Sequence, residues 1–91
     1  MEIRWTPEAT SNLEQIGLRI AFDNPEAALK TGTTVFERIE QLVNFPHRGR
    51  MGRDAGAREL VLAPLPYIAV YRVKDSTIEI LHIRHGAQNR N

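Results

Sequence analysis

The chain has 91 residues, 42% of them hydrophobic and 25% charged, and no cysteine; this fits one small domain over 1–91 and excludes a disulfide framework, a cysteine-ligated zinc site and thiol catalysis. No apolar run approaches the roughly 18 residues needed to span a bilayer, and the opening Met1-Glu2-Ile3-Arg4-Trp5 is no secretory signal, so a cytoplasmic protein without a membrane partner is expected. The net charge is +1, but residues 1–46 hold four Lys/Arg against seven Asp/Glu and residues 47–91 hold eight against four, a balance that suits one anion-facing side and one solvated side.

Glu2 to Trp5 alternates polar and apolar and predicts a short opening strand. Thr6-Pro7-Glu8 starts a helix: Thr6 caps free amides, Pro7 sits where its missing N–H costs nothing, and Glu8 complements the dipole. Ala9, Leu13, Ile16 and Ile20 then form one apolar stripe, which predicts a helix over 7–22. The same punctuation recurs at Asn24-Pro25-Glu26, so soon that the two helices must form an antiparallel hairpin. The second stripe is Ala28, Gly32, Val35, Ile39 and Leu42, broadened by Phe36 and Val43, and Phe45-Pro46 ends it. Gly32 on this stripe and Gly17 near the first suggest close helix contact, which would offset a glycine penalty of about 1 kcal/mol.

Residues 47–57 hold three glycines and three arginines without any period and read as an exposed, flexible basic loop. Three strands follow. In 58–63, Leu60 and Leu62 oppose Glu59 and Val61; in 67–73, Tyr67, Ala69, Tyr71 and Val73 oppose Ile68 and Val70. In 77–85, strict alternation sets Ile78 and Ile80 against Leu81 and Ile83, and places His82 and Arg84 on the face of Ile78 and Ile80. Pro64-Leu65-Pro66 and Lys74-Asp75-Ser76 are the turns. The predicted fold is α+β, in the order β-α-α-β-β-β, with the helix hairpin packed on a small, largely antiparallel sheet.

No Ser/His/Asp order, Walker loop, dinucleotide fingerprint or paired-carboxylate motif is evident. His82 and His85 fall on opposite strand faces, and no metal or cofactor is expected. Arg48, Arg50 and Arg53 suit phosphate contacts or a merely solvated connection, and Arg72, His82 and Arg84 suit an anionic site or solvated strand ends. Tyr67 and Tyr71 are expected to pack under the helices rather than to stack bases.

Taken together, the run Arg58-Glu59-Leu60-Val61-Leu62, the run Pro66-Tyr67-Ile68-Ala69-Val70-Tyr71-Arg72-Val73 and the run Ile78-Glu79-Ile80-Leu81-His82-Ile83-Arg84-His85-Gly86-Ala87 resemble the RelE/ParE family of bacterial toxins. The opening strand, Thr6-Pro7-Glu8-Ala9, Asp23-Asn24-Pro25-Glu26 and Phe45-Pro46 agree, so the resemblance covers nearly the whole chain. It implies the toxin half of a type II toxin-antitoxin pair, with a cognate antitoxin segment wrapped over the hairpin and sheet; Arg58, Tyr71 and Arg72 are the antitoxin-contact candidates. RelE-like members cut mRNA on the ribosome with arginines, lysines and a C-terminal tyrosine or histidine, whereas ParE-like members inhibit DNA gyrase. The RelE-like pattern has an arginine after the aromatic residue of the central strand and a basic residue after the final glycine. This chain has Ile68 in the first place, Ala87 and Gln88 in the second, and no tyrosine in the tail. The resemblance thus implies a ParE-like gyrase inhibitor with no catalytic residue assigned, whose target-contact candidates are Arg48, Arg50, Arg53, Arg84, His85 and Arg90. Two alternatives stay open: a ribosome-dependent nuclease using Arg50, Arg58, Arg84 and His85, and a non-toxic relative that only binds an antitoxin.

Overall fold

The computed structural model describes residues 1–88. Strand β1 (Glu2–Trp5) leads into helix α1 (Pro7–Asp23), helix α2 (Pro25–Glu40) and a single 3-10 turn, Gln41–Val43. Strands β2 (Arg50–Met51), β3 (Arg58–Val61), β4 (Tyr67–Lys74) and β5 (Thr77–His85) follow, before a last 3-10 turn, Gly86–Gln88.

Both helices begin as their caps dictate. The Thr6 hydroxyl accepts from the Ala9 amide at 3.2 Å and the Asn24 side chain from the Ala27 amide at 3.1 Å, each followed by proline. Such a cap contributes about 1 kcal/mol. Thr6 also ties α1 to the sheet, because its hydroxyl lies 2.8 and 2.9 Å from the Ile80 and Leu81 carbonyls. Nearly two turns later the Asn12 side chain accepts from the Ile83 amide at 2.9 Å, which satisfies β5 beyond the end of β1.

The sheet has five strands in the order β1-β5-β4-β3-β2. β1 runs parallel to β5, and the other pairs are antiparallel. The core lies between hairpin and sheet, where Ala9, Val35, Ile39 and Leu42 meet Leu62, Ala69, Tyr71, Ile78, Ile80 and Ile83. Asp75 adopts φ 57 in the β4–β5 turn, a value asparagine and aspartate tolerate better than other side chains.

Four sequence expectations are corrected. Residues 47–57 are not an open loop: β2 pairs with β3, and Gly52 and Ala57 close the connection by amides donating to Ala57 and Asp54 at 2.9 and 3.0 Å. The pairing of β4 with β5 slips between Val70 and Tyr71, so Tyr71 faces Ile80 and Val70 faces His82, leaving Leu81 as an extra residue. That bulge puts Ile83 in the main core with Ile78 and Ile80, and sends His82 and Arg84 to the opposite face. Phe36 and Val43 do not broaden the buried stripe but stay exposed, Phe36 resting against Trp5 with ring centroids 5.2 Å apart. Finally, a Cβ added at Gly17 or Gly32 would meet nothing within 4 Å, so close helix contact does not explain either glycine.

Candidate functional site

On the sheet face away from the helices, cross-strand register brings unlike charges together. Glu59 of β3 sits opposite Arg50 of β2, and both guanidiniums around it donate to its carboxylate: Arg50 Nε to Oε1 and Arg84 to Oε2, each at 3.1 Å. Glu79 of β5 sits opposite Arg4 and Arg72, and takes a hydrogen bond from each, that of Arg72 at 2.6 Å. Both carboxylates are buried. Burial alone pushes the Glu59 pKa up, but the hydrogen bonds and charges of Arg50 and Arg84 outweigh it, and the group ends below its ordinary value. Between the two clamps lies a small apolar cluster of Ala57, Ile68 and Val70, with Leu81 against it. Two carboxylates thus hold four guanidiniums, so about half of the arginine charge on this face is met from within, and Arg84 Nη1 is buried without a hydrogen-bond partner among the described residues.

Beside this face, the segment from Phe45 to Met51 is held from below. Tyr71 has no exposed surface; its hydroxyl donates to the Pro46 carbonyl and accepts from the Gly49 amide, both at 2.8 Å. Burial raises its pKa, against the opposing pull of the Gly49 hydrogen bond and the Arg58 charge, so the hydroxyl keeps the proton it donates. Arg58 Nη1 donates to the Gly49 and His47 carbonyls at 2.8 and 3.2 Å. Gly49 is required here: a Cβ would lie 2.7 and 2.8 Å from the Tyr71 ring and hydroxyl and 2.9 Å from the Glu59 carbonyl. Phe45, His47, Arg48, Arg50 and Met51 are left exposed.

The expected site residues distribute unevenly. Tyr71, named as an antitoxin-contact candidate, is wholly buried and uses both hydroxyl functions inside the fold. Arg58 is half-buried and spends its guanidinium on backbone carbonyls, while Arg72 is exposed and paired with Glu79. Arg50 and Arg84 converge on Glu59, Arg48 lies nearby on the exposed segment, and Arg53 is exposed on the β2–β3 connection. His85 faces the helices' side, its ring edge-on to Tyr67 with centroids 5.5 Å apart, and its Nδ1 accepts from the Ala87 amide at 3.0 Å. Strand alternation sets it on the face opposite to Arg84, yet both side chains line one open cavity beside α1 with Asn12, Gln15, Arg19 and Tyr67. Arg90 lies outside the described residues. Among the described residues no cluster of three or more His, Asp or Glu has metal-holding geometry. The clamping roles of Glu59 and Glu79 escaped sequence reasoning, although each lies among apolar residues of a strand opposite an arginine-bearing one.

A family model described as the ParE toxin of the type II toxin-antitoxin system, parDE, matches residues 3–90. The chain belongs to the ParE toxin family. Its relatives include Y4kP of Sinorhizobium fredii, 41% identical over 86 residues that cover 94% of this chain and 88% of the relative. Toxin RelE2 of Caulobacter vibrioides is 34% identical over 87 residues, covering 96% and 97% of the two chains. Among solved structures, a chain of the chromosomal ParDE TA system from P. aeruginosa superposes with a TM-score of 0.84 at 33% identity, covering 93% of this chain and 95% of that one. The fold is thus shared with a ParDE-system chain over most of its length, and no helix among the described residues is long and apolar enough to cross a membrane.

Proposed function

We propose that this ParE-family toxin arrests growth by inhibiting DNA gyrase, that a cognate antitoxin neutralises it, and that it does not cut mRNA. The observation that carries the reading is the state of the outer sheet face. Ile68, at the position where the RelE-like pattern has an arginine, is buried in an apolar cluster with Val70 and Ala57. The arginines flanking it are committed to Glu59 and Glu79. Cleavage at an RNA 2′-hydroxyl needs a base and an acid within hydrogen-bond reach of the reacting atoms, each worth about 10² to 10⁴ in rate. His85, the one imidazole among the nuclease candidates, stands on the face of the sheet opposite to Arg50, and its Nδ1 is engaged by the Ala87 amide. A surface of paired charges around an apolar centre suits protein docking better than phosphoryl transfer.

Antitoxin binding is supported by the hairpin. Leu18, Phe22 and Leu29 are exposed there, Phe22 at 91%, an apolar surface of the kind that a segment folding on contact would cover. The deciding experiment pairs a gyrase supercoiling assay with a translating ribosome assay that maps mRNA ends. Loss of supercoiling without cuts is expected, reversed by stoichiometric antitoxin; codon-dependent cuts on the ribosome overturn the reading.

A further inference from the structure

Between Glu40 and Asp54 the chain carries no acidic residue, and within that span lie Arg48, Arg50, Arg53 and His47. Two large apolar side chains stand out beside them, Phe45 at 61% and Met51 at 67% exposure. The Arg48 guanidinium lies over the Phe45 ring, 5.7 Å from its centroid, and donates to the Gln41 side chain at 3.2 Å. Phe45, Pro46, His47 and Arg48 wall an open cavity of about 420 Å³. None of this is left to a mobile loop, since the Tyr71 hydroxyl and Arg58 fix the backbone beneath it at Pro46, His47 and Gly49.

We infer that segment 45–51 is the surface by which the toxin grips its target protein, that it fits an acidic polypeptide segment carrying an apolar anchor, and that Tyr71 is the positioning residue that presets it. The inference rests on the toxin reading above but not on gyrase as the target. Charge complementarity selects an acidic occupant. A protein fits better than a nucleic acid, because phosphate-backbone binding draws on a row of uncommitted cations, and Arg50 is already committed to Glu59. An aromatic ring and a stacked arginine walling a pocket, with an exposed methionine in the same segment, are instead the composition of a protein-binding hot spot. Fixing such a surface beforehand removes the ordering cost from binding, which is a use for a buried tyrosine whose hydroxyl reaches across 22 residues to a loop.

The test uses growth arrest on induction of the full-length toxin, antitoxin affinity of the purified chain, and binding to a duplex DNA probe. Phe45→Ala and Arg48→Glu are both exposed changes and are expected to lower arresting potency about tenfold or more, as hot-spot truncations do, with antitoxin affinity within about twofold of the parent. Tyr71→Phe keeps the ring, and is expected to lower potency and to speed hydrogen exchange at Gly49. In the Arg48→Glu background it should add nothing further, since both changes act through one contact. Full potency in Phe45→Ala and Arg48→Glu overturns the surface, as does a parallel loss of antitoxin affinity. A loss of duplex binding in proportion to potency overturns the protein occupant, and an additive effect of Tyr71→Phe overturns its positioning role. Arrest without gyrase inhibition refutes the gyrase reading alone, whereas a parent chain that arrests nothing overturns both.

Discussion

Tyr71 joins the core to the surface through a single oxygen. Its ring belongs to the main core, and its hydroxyl takes both a donor and an acceptor from a segment more than twenty positions earlier. Removing the hydroxyl leaves the Gly49 amide, which is buried, without a partner, so Tyr71→Phe is expected to cost about 1 to 3 kcal/mol, measured by urea unfolding. Gly49→Ala probes the same contact from the other side. The added methyl would meet the Tyr71 ring and hydroxyl and the Glu59 backbone at under 3 Å. Overpacking of this sort costs about 1 to 3 kcal/mol, and the two changes together should cost less than their sum because they share one contact. Composition alone points to the basic residues around Arg48 and Arg50, and their exposure was legible. The tyrosine's role was not, because alternation places a strand residue on a face but says nothing of which distant carbonyl its hydroxyl reaches.

At the scale of elements, legibility follows the range of the interactions that set each boundary. Helix starts are local events, and Thr6-Pro7 and Asn24-Pro25 mark them to the residue. Strand β2 is two residues long and exists because Glu59 and Arg58 pair with it; no period of two can show in so short a run. The bulge at Leu81 breaks the alternation on which face assignment depends, so every residue of β5 beyond it falls on the face opposite to the simple reading. The helical glycines turn a failed expectation into a prediction. Since nothing lies within 4 Å of an added Cβ at Gly17 or Gly32, alanine at either site should gain helix propensity and lose unfolded-state entropy without strain. Each substitution is expected to stabilise by about 0.4 to 1 kcal/mol, a rise in melting temperature of roughly 2 to 8 °C for a domain of this size. A melting temperature that falls would mean that the added methyl strains the helix or meets a neighbour in solution.

Across the whole molecule, the two glutamates act as cross-braces. Glu59 on β3 draws in Arg50 from β2 and Arg84 from β5, and Glu79 on β5 draws in Arg4 from β1 and Arg72 from β4. Together they link all five strands on a face that no helix covers. The charge asymmetry along the sequence has its structural counterpart here: the basic half carries more arginines than these two carboxylates neutralise, and Arg48 and Arg53 stand exposed beside the braced face. The pH dependence of stability follows from Glu59. Its carboxyl lies below the ordinary value of 4.5 in the folded chain, so the folded state binds its proton more weakly than the unfolded state does. The stabilisation is complete above the unfolded value and is lost as pH falls through the folded one. Glu59→Gln removes this linkage while keeping the side chain's size. At neutral pH it is expected to destabilise by about 1 to 3 kcal/mol, because two guanidiniums lose their anion and one of them, that of Arg84, is largely buried. At low pH, where the parent carboxyl is itself protonated, the gap between parent and variant should close. Unfolding curves of both proteins from pH 7 down to about 3 test this; a gap that stays constant with pH would show that Glu59 acts through packing and not through its charge.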